Sequence, residues 1–194
     1  DADLAQKKGE IAVAHDKYVA CATAYEALGR PLDAAEAKLE ALLIASKEPG
    51  ADPRALLDEI DATEHKMDPV AGFAEHAALA SIVRASCLVV QGDEVAAKAA
   101  LDSAYERAKK DARHEIGWRA LEARGALALS QGSTATARRD TEAALAMLEE
   151  VASKLPRDLR EVFWNDPKRR ALRAQVATTL STAKEPEGQP KRLG

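Results

Sequence analysis

YEALGRPLDAAEAKLEAL, residues 25–42, decides the fold. An apolar helical run reaches Leu28. Gly29 suits the left-handed position that closes a helix, and Pro31 suits the first turn of the next. Ala34 and Ala41 follow Gly29 by five and twelve residues. Seven residues are two helical turns, so the two alanines share a face. Small side chains there let the second helix of a hairpin lie close against the first.

Two later stretches repeat the arrangement: LVVQGDEVAAKAALDSAY at 88–105 and LALSQGSTATARRDTEAALAML at 127–148. Gly92 is followed by Ala97 and Ala104, and Gly132 by Ala137 and Ala144. The glycines are 63 and 40 residues apart. A helix hairpin cannot bury its apolar face alone, whereas stacked hairpins build a continuous core. The competing reading is a single alanine-rich bundle of unrelated hairpins.

Apolar periodicity extends the pattern along the chain. It predicts helices over 3–28, 32–47, 53–65, 70–91, 94–111, 113–131, 134–154, 157–163 and 167–181. Leu4, Ile11, Ala14, Tyr18, Cys21, Tyr25 and Leu28 mark the apolar side of the first. Asp52 and Pro53 read as cap and first-turn residue of the third. The expected organisation is one helical domain over 1–181, with repeats near 9–47, 70–111 and 113–154, an extra helix near 53–65 and capping helices near 157–181. The polar tail 182–194 reads as disordered.

Composition agrees with this class. The 194 residues are 46% hydrophobic but only 4% aromatic, and alanine is the most frequent residue. Alanine is the strongest helix former and takes little room, and the scarcity of β-branched and aromatic residues argues against sheets. A net charge of -4, with 31% charged residues, lacks the basic excess of a general nucleic-acid binder. No apolar run is long enough to span a bilayer, and DADLAQKK is not a signal peptide. A cytoplasmic location is the expectation. The absent initiator Met reads as an excised domain or a processed product. Cys21 and Cys87 sit in apolar helical stretches and read as small buried thiols.

These residues resemble the tetratricopeptide repeat family. Its motif sets a large, a small and an aromatic residue along the first helix, then a turn glycine, then two alanines. Tyr18, Ala22, Tyr25, Gly29, Ala34 and Ala41 follow it. Leu121, Gly125, Ala128, Gly132, Ala137 and Ala144 follow it in part, and Ser81, Ala85, Leu88, Gly92, Ala97 and Ala104 more loosely. The family repeat is about 34 residues, so a 40-residue step implies longer helices. The resemblance covers about 9–154 and implies a right-handed α-solenoid of antiparallel hairpins. LPRDLREVFWNDPKRRALR, 155–173, is similar to the segment closing helical regions in large bacterial signalling proteins, beside a kinase or an ATP-dependent activator domain. That implies a regulatory module.

No phosphate-binding glycine loop, CxxC or HExxH motif occurs. His15, His65, His76 and His114 are scattered. His65 and His76 would meet only if the helices around Lys66–Pro69 folded back on each other. Asp58, Glu59, Asp61 and Glu64 have the composition of a solvated helix face. No cofactor, metal or catalytic set is expected. Lys17, Tyr18, Arg84, Arg119 and Arg124 are the candidate contacts on the inner helices. Arg157, Arg160, Lys168, Arg169, Arg170 and Arg173 form a candidate basic docking patch, interrupted by Asp158, Glu161 and Asp166. Phe163 and Trp164 are expected to cover the last apolar layer. The family's carboxylate clamp needs an asparagine on an inner helix, and Asn165 lies outside the repeats. The expectation is therefore a non-enzymatic scaffold for a protein or peptide segment, or for a neighbouring domain of the same polypeptide. The alternative is a sensor that binds a small molecule or signalling peptide.

Overall fold

The structure, a computed structural model, describes residues 2–70, 72–73 and 76–182. These residues are all-helical, with no strand among them. In chain order the helices are α1 (Ala2–Lys7), α2 (Ile11–Ala27), α3 (Pro31–Ala45), α4 (Pro53–Met67), α5 (Ala77–Gln91), α6 (Glu94–Lys110), α7 (His114–Ser130), α8 (Thr134–Ser153), α9 (Arg157–Trp164) and α10 (Pro167–Thr182). The tail expected beyond residue 182 lies outside the described residues.

Three hairpins, α2–α3, α5–α6 and α7–α8, carry the densest packing. Each turns on its glycine: Gly29, Gly92 and Gly132 have φ of 67°, 81° and 74°. One hydrogen-bond pattern closes all three. The Arg30, Asp93 and Ser133 amides reach back to the carbonyls of Tyr25, Leu88 and Ala128 at 2.8–2.9 Å. The glycine amides donate to Glu26, Val89 and Leu129 at 3.0 Å. This is the Schellman closure, which satisfies orphan carbonyls at a helix end. The six alanines at the five- and twelve-residue offsets are all buried. At the third hairpin the two backbones come close at Gly125, where a Cβ would lie 3.0 Å from Thr141 Oγ1 and 3.2 Å from the Ala137 carbonyl oxygen.

The same closure recurs between α6 and α7 without a glycine. The Arg113 amide donates to the Ala108 carbonyl at 2.8 Å, and Ala112 takes φ of 53°. A side chain in the left-handed region costs about 1–2 kcal/mol, partly offset by the extra freedom glycine has when unfolded. Ala112→Gly should therefore raise stability by up to about 1 kcal/mol, read as a higher urea midpoint at unchanged slope. An unchanged or lower midpoint would show that the turn is relaxed with alanine.

Successive hairpins touch: α3 packs on α5, α6 on α7, and α5 on α7. The main apolar cluster runs through them, from Leu39 and Leu43 of α3 to Leu79 and Val83 of α5, Leu101 of α6 and Ile116 of α7. Helix α4 adds Ile60, fully buried, and packs on α3 and α5. Asp52 caps it as expected, accepting from the Arg54 and Ala55 amides. At the far end α10 lies on α8. Leu172 joins Trp118, Leu121 and Leu148 there, with Phe163 and Trp164 against the same cluster.

Several local expectations are corrected. The helix expected over 3–28 is two helices, because Gly9 takes φ of 77° and the Glu10 amide turns back to the Ala5 carbonyl. Ile11 and Leu28, counted in its apolar stripe, are exposed. The helix expected over 70–91 begins only at Ala77, after Gly72 at φ 91° and a turn burying Phe73 against Met67 and Ala35. Cys87 is buried, but Cys21 is only half-buried; both are free thiols. His76 faces Glu36 of α3 at 3.3 Å rather than His65. Among the described residues, no helix is long and apolar enough to cross a membrane.

Candidate functional site

Helix α7 organises the interior. Trp118 and Leu121 point into the core. Arg119, Glu122, Ala123 and Ala126 recur at steps that keep them along one side. That side lines a cleft of about 710 Å3. Its other walls are Leu43, Ser46 and Lys47 at the end of α3, Ile82, Ser86, Val89 and Val90 on α5, and Lys168 of α10. Val89 and Val90 are among the exposed large apolar side chains of the molecule. The volume suits a short peptide segment or a small ligand.

The polar end of the cleft draws on four helices. Arg119 grips Glu40 of α3 with two hydrogen bonds, 2.6 and 3.1 Å, and both side chains are about seven-eighths buried. This pair ties the first hairpin to the third. Burial works against the Arg119 charge, but Glu40 overrides it and holds the guanidinium above its ordinary range. Lys168 Nζ donates to Gln6 Oε1 at 2.9 Å, a side-chain link from α10 to α1. Burial, then the charge on Arg119, push this ammonium below the usual lysine range. Glu122 moves the other way: burial raises its carboxyl, opposed by Lys47, Lys168 and Arg119.

The residues singled out in the sequence have distinct placements. Tyr18 is buried and its hydroxyl donates to Asp3; burial, then that bond, push it above the ordinary phenol range. Arg84 binds Asp61 and Glu64, fixing α5 to α4. Those two acids thus serve as internal anchors, and Glu59 faces Lys38 at 3.6 Å. Arg124 joins three helices. Its Nε and Nη2 donate to Asp140 of α8 at 2.6 and 3.0 Å, and its Nη1 donates to Asp102 of α6 at 2.6 Å. Lys17 is half-buried on α2. Of these five, Arg119 alone lines the cleft.

The basic run is divided. Arg160 caps the end of α8 through the carbonyls of Ala152, Ser153 and Leu155. Arg169 pairs with Glu115 at 3.0 Å and stacks over Phe163. Arg173 stacks over Trp164, and with Arg157 and Arg160 it surrounds a shallow surface hollow. Arg170 is exposed. Lys168 is turned away from these into the cleft.

Lys47 and Glu122 were not legible as site residues. Lys47 ends the helix expected over 32–47 and lies just past the observed end of α3, where nothing in the sequence marks it as a contact. Glu122 shares a helix face with Arg119, so the i, i+3 step was available, but only a known core phase for α7 selects it.

A second cleft, of about 880 Å3, lies on α3 between α2 and α4. Its floor is mainly alanine, and Lys66 bridges to Glu26 at 2.7 Å. No group of three or more His, Cys, Asp or Glu residues able to hold a metal ion occurs among the described residues. No family model, curated protein or solved structure matches the chain.

Proposed function

We propose that this chain is a tetratricopeptide-like, right-handed α-solenoid that acts as a non-enzymatic scaffold and binds a peptide segment of a partner in the cleft beside α7. The observation that carries the reading is that cleft. It is open, apolar along Val89, Val90 and Ala126, and charged at one end through Lys47, Glu122 and Lys168. An extended segment offers side chains to the apolar wall and backbone groups to the polar end. The solenoid reading is supported by the recurrent hairpin closure and by the order in which the hairpins touch. A regulatory role within a larger signalling protein fits this kind of groove, as does a neighbouring domain of the same polypeptide as the partner.

A displayed library of random dodecapeptides, panned on the immobilised chain, tests the reading. Ala126 is exposed and lines the cleft, so Ala126→Trp should fill it without touching the core. Peptides retained by the wild type and lost by this variant support a peptide groove. Equal retention by both, or no retained peptide, overturns it.

A further inference from the structure

We propose that α1 is a displaceable strap: it reaches from α2 to Lys168 beside the Arg119 end of the cleft, and a bound segment longer than the cleft pushes it aside. This rests on the peptide-groove reading above and adds regulation of that groove by the chain's own residues 2–7.

The placement of α1 points this way. Ala2 and Ala5 are buried in a cluster with Ala14 and Tyr18 of α2 and Ala37, Ala41 and Ile44 of α3. On α3 that face adjoins the one that meets the cleft. Glu40, the partner of Arg119, follows Ala37 by three residues, and the cleft residues Leu43 and Lys47 follow Glu40 by three and seven. At the other end of α1, Gln6 Oε1 accepts from Lys168 Nζ, and Lys168 lines the cleft from α10. The charges of Glu40 and Arg119 act both on Lys168 and on the Tyr18 hydroxyl, which donates to Asp3. The strap therefore borders the polar end of the cleft, from the first hairpin to α10.

Its hold is light. Six residues are fewer than two turns, too short for a helix to be stable unaided. Two alanine methyl groups remove little apolar area from water. Among the described residues, the side-chain hydrogen bonds of α1 are Asp3 with Tyr18 and Gln6 with Lys168. The join to α2 turns on Gly9, at φ 77° with open space around it. Segments with so few buried contacts open at low cost. What they cover is apolar: Tyr18, Ala37, Ala41 and Ile44 are all buried. Release of α1 exposes these side chains next to the cleft.

Length decides which ligands meet the strap. The α7 wall of the cleft, Arg119 to Ser130, covers about 17 Å of helix axis. An extended hexapeptide spans about 20 Å and an extended dodecapeptide about 40 Å. The first fits the open cleft. The second overruns it, and toward Arg119 it meets α1.

The test uses the full chain, dodecapeptides retained by the wild type and lost by Ala126→Trp, and hexapeptides cut from them that keep this sensitivity. Asp3→Ala removes the tie to Tyr18. Gly9→Val forces a branched side chain into the left-handed region. Neither residue lines the cleft. Each variant should bind the dodecapeptides about five- to tenfold more tightly, because a loosened strap is open more of the time. Hexapeptide affinity should stay within about twofold. Hydrogen–deuterium exchange reads the displacement directly. The dodecapeptide should speed exchange of the Lys8, Gly9 and Glu10 amides, which bond back to Ala5 and Gln6, and the hexapeptide should not. Far-UV circular dichroism establishes that each variant is folded; if one unfolds, the other variant and exchange in the wild type decide. Unchanged or weaker dodecapeptide binding by the variants, an equal gain for hexapeptides, or unchanged or slower exchange at residues 8–10 overturns the strap and leaves the groove standing. If no peptide is sensitive to Ala126→Trp, both fall.

Discussion

Arg124→Met should destabilise the fold by about 3–5 kcal/mol, the cost typical of stranding one member of a buried ion pair. Asp140 is 1% exposed and receives both Nε and Nη2 of Arg124. The other cation near it, Arg139, reaches Oδ1 at 3.2 Å from a side chain that is 70% exposed. It cannot replace a two-pronged bond inside the core. The same substitution also releases Asp102, so α6 and α8 lose their shared tie to α7. Chemical denaturation reads the loss as a lower midpoint. A second variant separates charge burial from packing. Arg124→Met with Asp140→Leu should recover much of the stability, because removing both charges removes the desolvation cost as well. A double variant as unstable as the single one would show that the salt bridge matters for shape rather than for charge.

The pH dependence of this site has a definite sign. Burial alone would raise the Asp102 carboxyl, but hydrogen bonds from Lys98 and Arg124 override it and hold it below the usual carboxylate range. A depressed carboxylate stabilises the fold above its unfolded pKa, and that contribution fades as pH falls through the folded value. The wild type should therefore lose this increment on acidification. Arg124→Met should lose less of it over the same window.

The hairpins could be read from the sequence because their determinants are local. A glycine at a left-handed turn and alanines two turns apart act within about fifteen residues, and each position is chemically narrow. The break between the helices expected over 94–111 and 113–131 is where the turn lies, but its left-handed backbone at Ala112 was not legible, because alanine gives no sign of it. The break at Gly9 was readable in principle, yet a long apolar period masked it. The cleft was harder to see for a different reason. Lys47, Glu122 and Lys168 come from α3, α7 and α10, and nothing local relates them. Arginines at 84, 119 and 124 stand out in a sequence as contact groups, but here each is engaged by carboxylates on other helices. In an alanine-rich core, where side chains are short, long arginines are well suited to reach across from one hairpin to the next.

Trp118→Ala should cost about 3–5 kcal/mol, the range for emptying a large buried aromatic site. Trp118 is 1% exposed and is the largest fully buried side chain. Leu121, Leu148 and Leu172 belong to its cluster, so it lies where α7, α8 and α10 meet. Its indole nitrogen has no acceptor among the described residues. Trp118→Phe should therefore lose packing but no hydrogen bond, and fall well short of the alanine cost. The consequence reaches the cleft, because Trp118 also lines it and α10 carries Lys168 into it. Loosening this layer should free α10 from α8 before the hairpins open. Limited trypsin digestion would read that as early cleavage within Lys168–Arg173. Peptide binding should weaken at temperatures where helicity is still intact. Loss of binding only in step with loss of helicity would mean that α10 is not separately held by this layer. Protection of α10 in the alanine variant would place its anchorage in Arg169 and Glu115 rather than in the tryptophan.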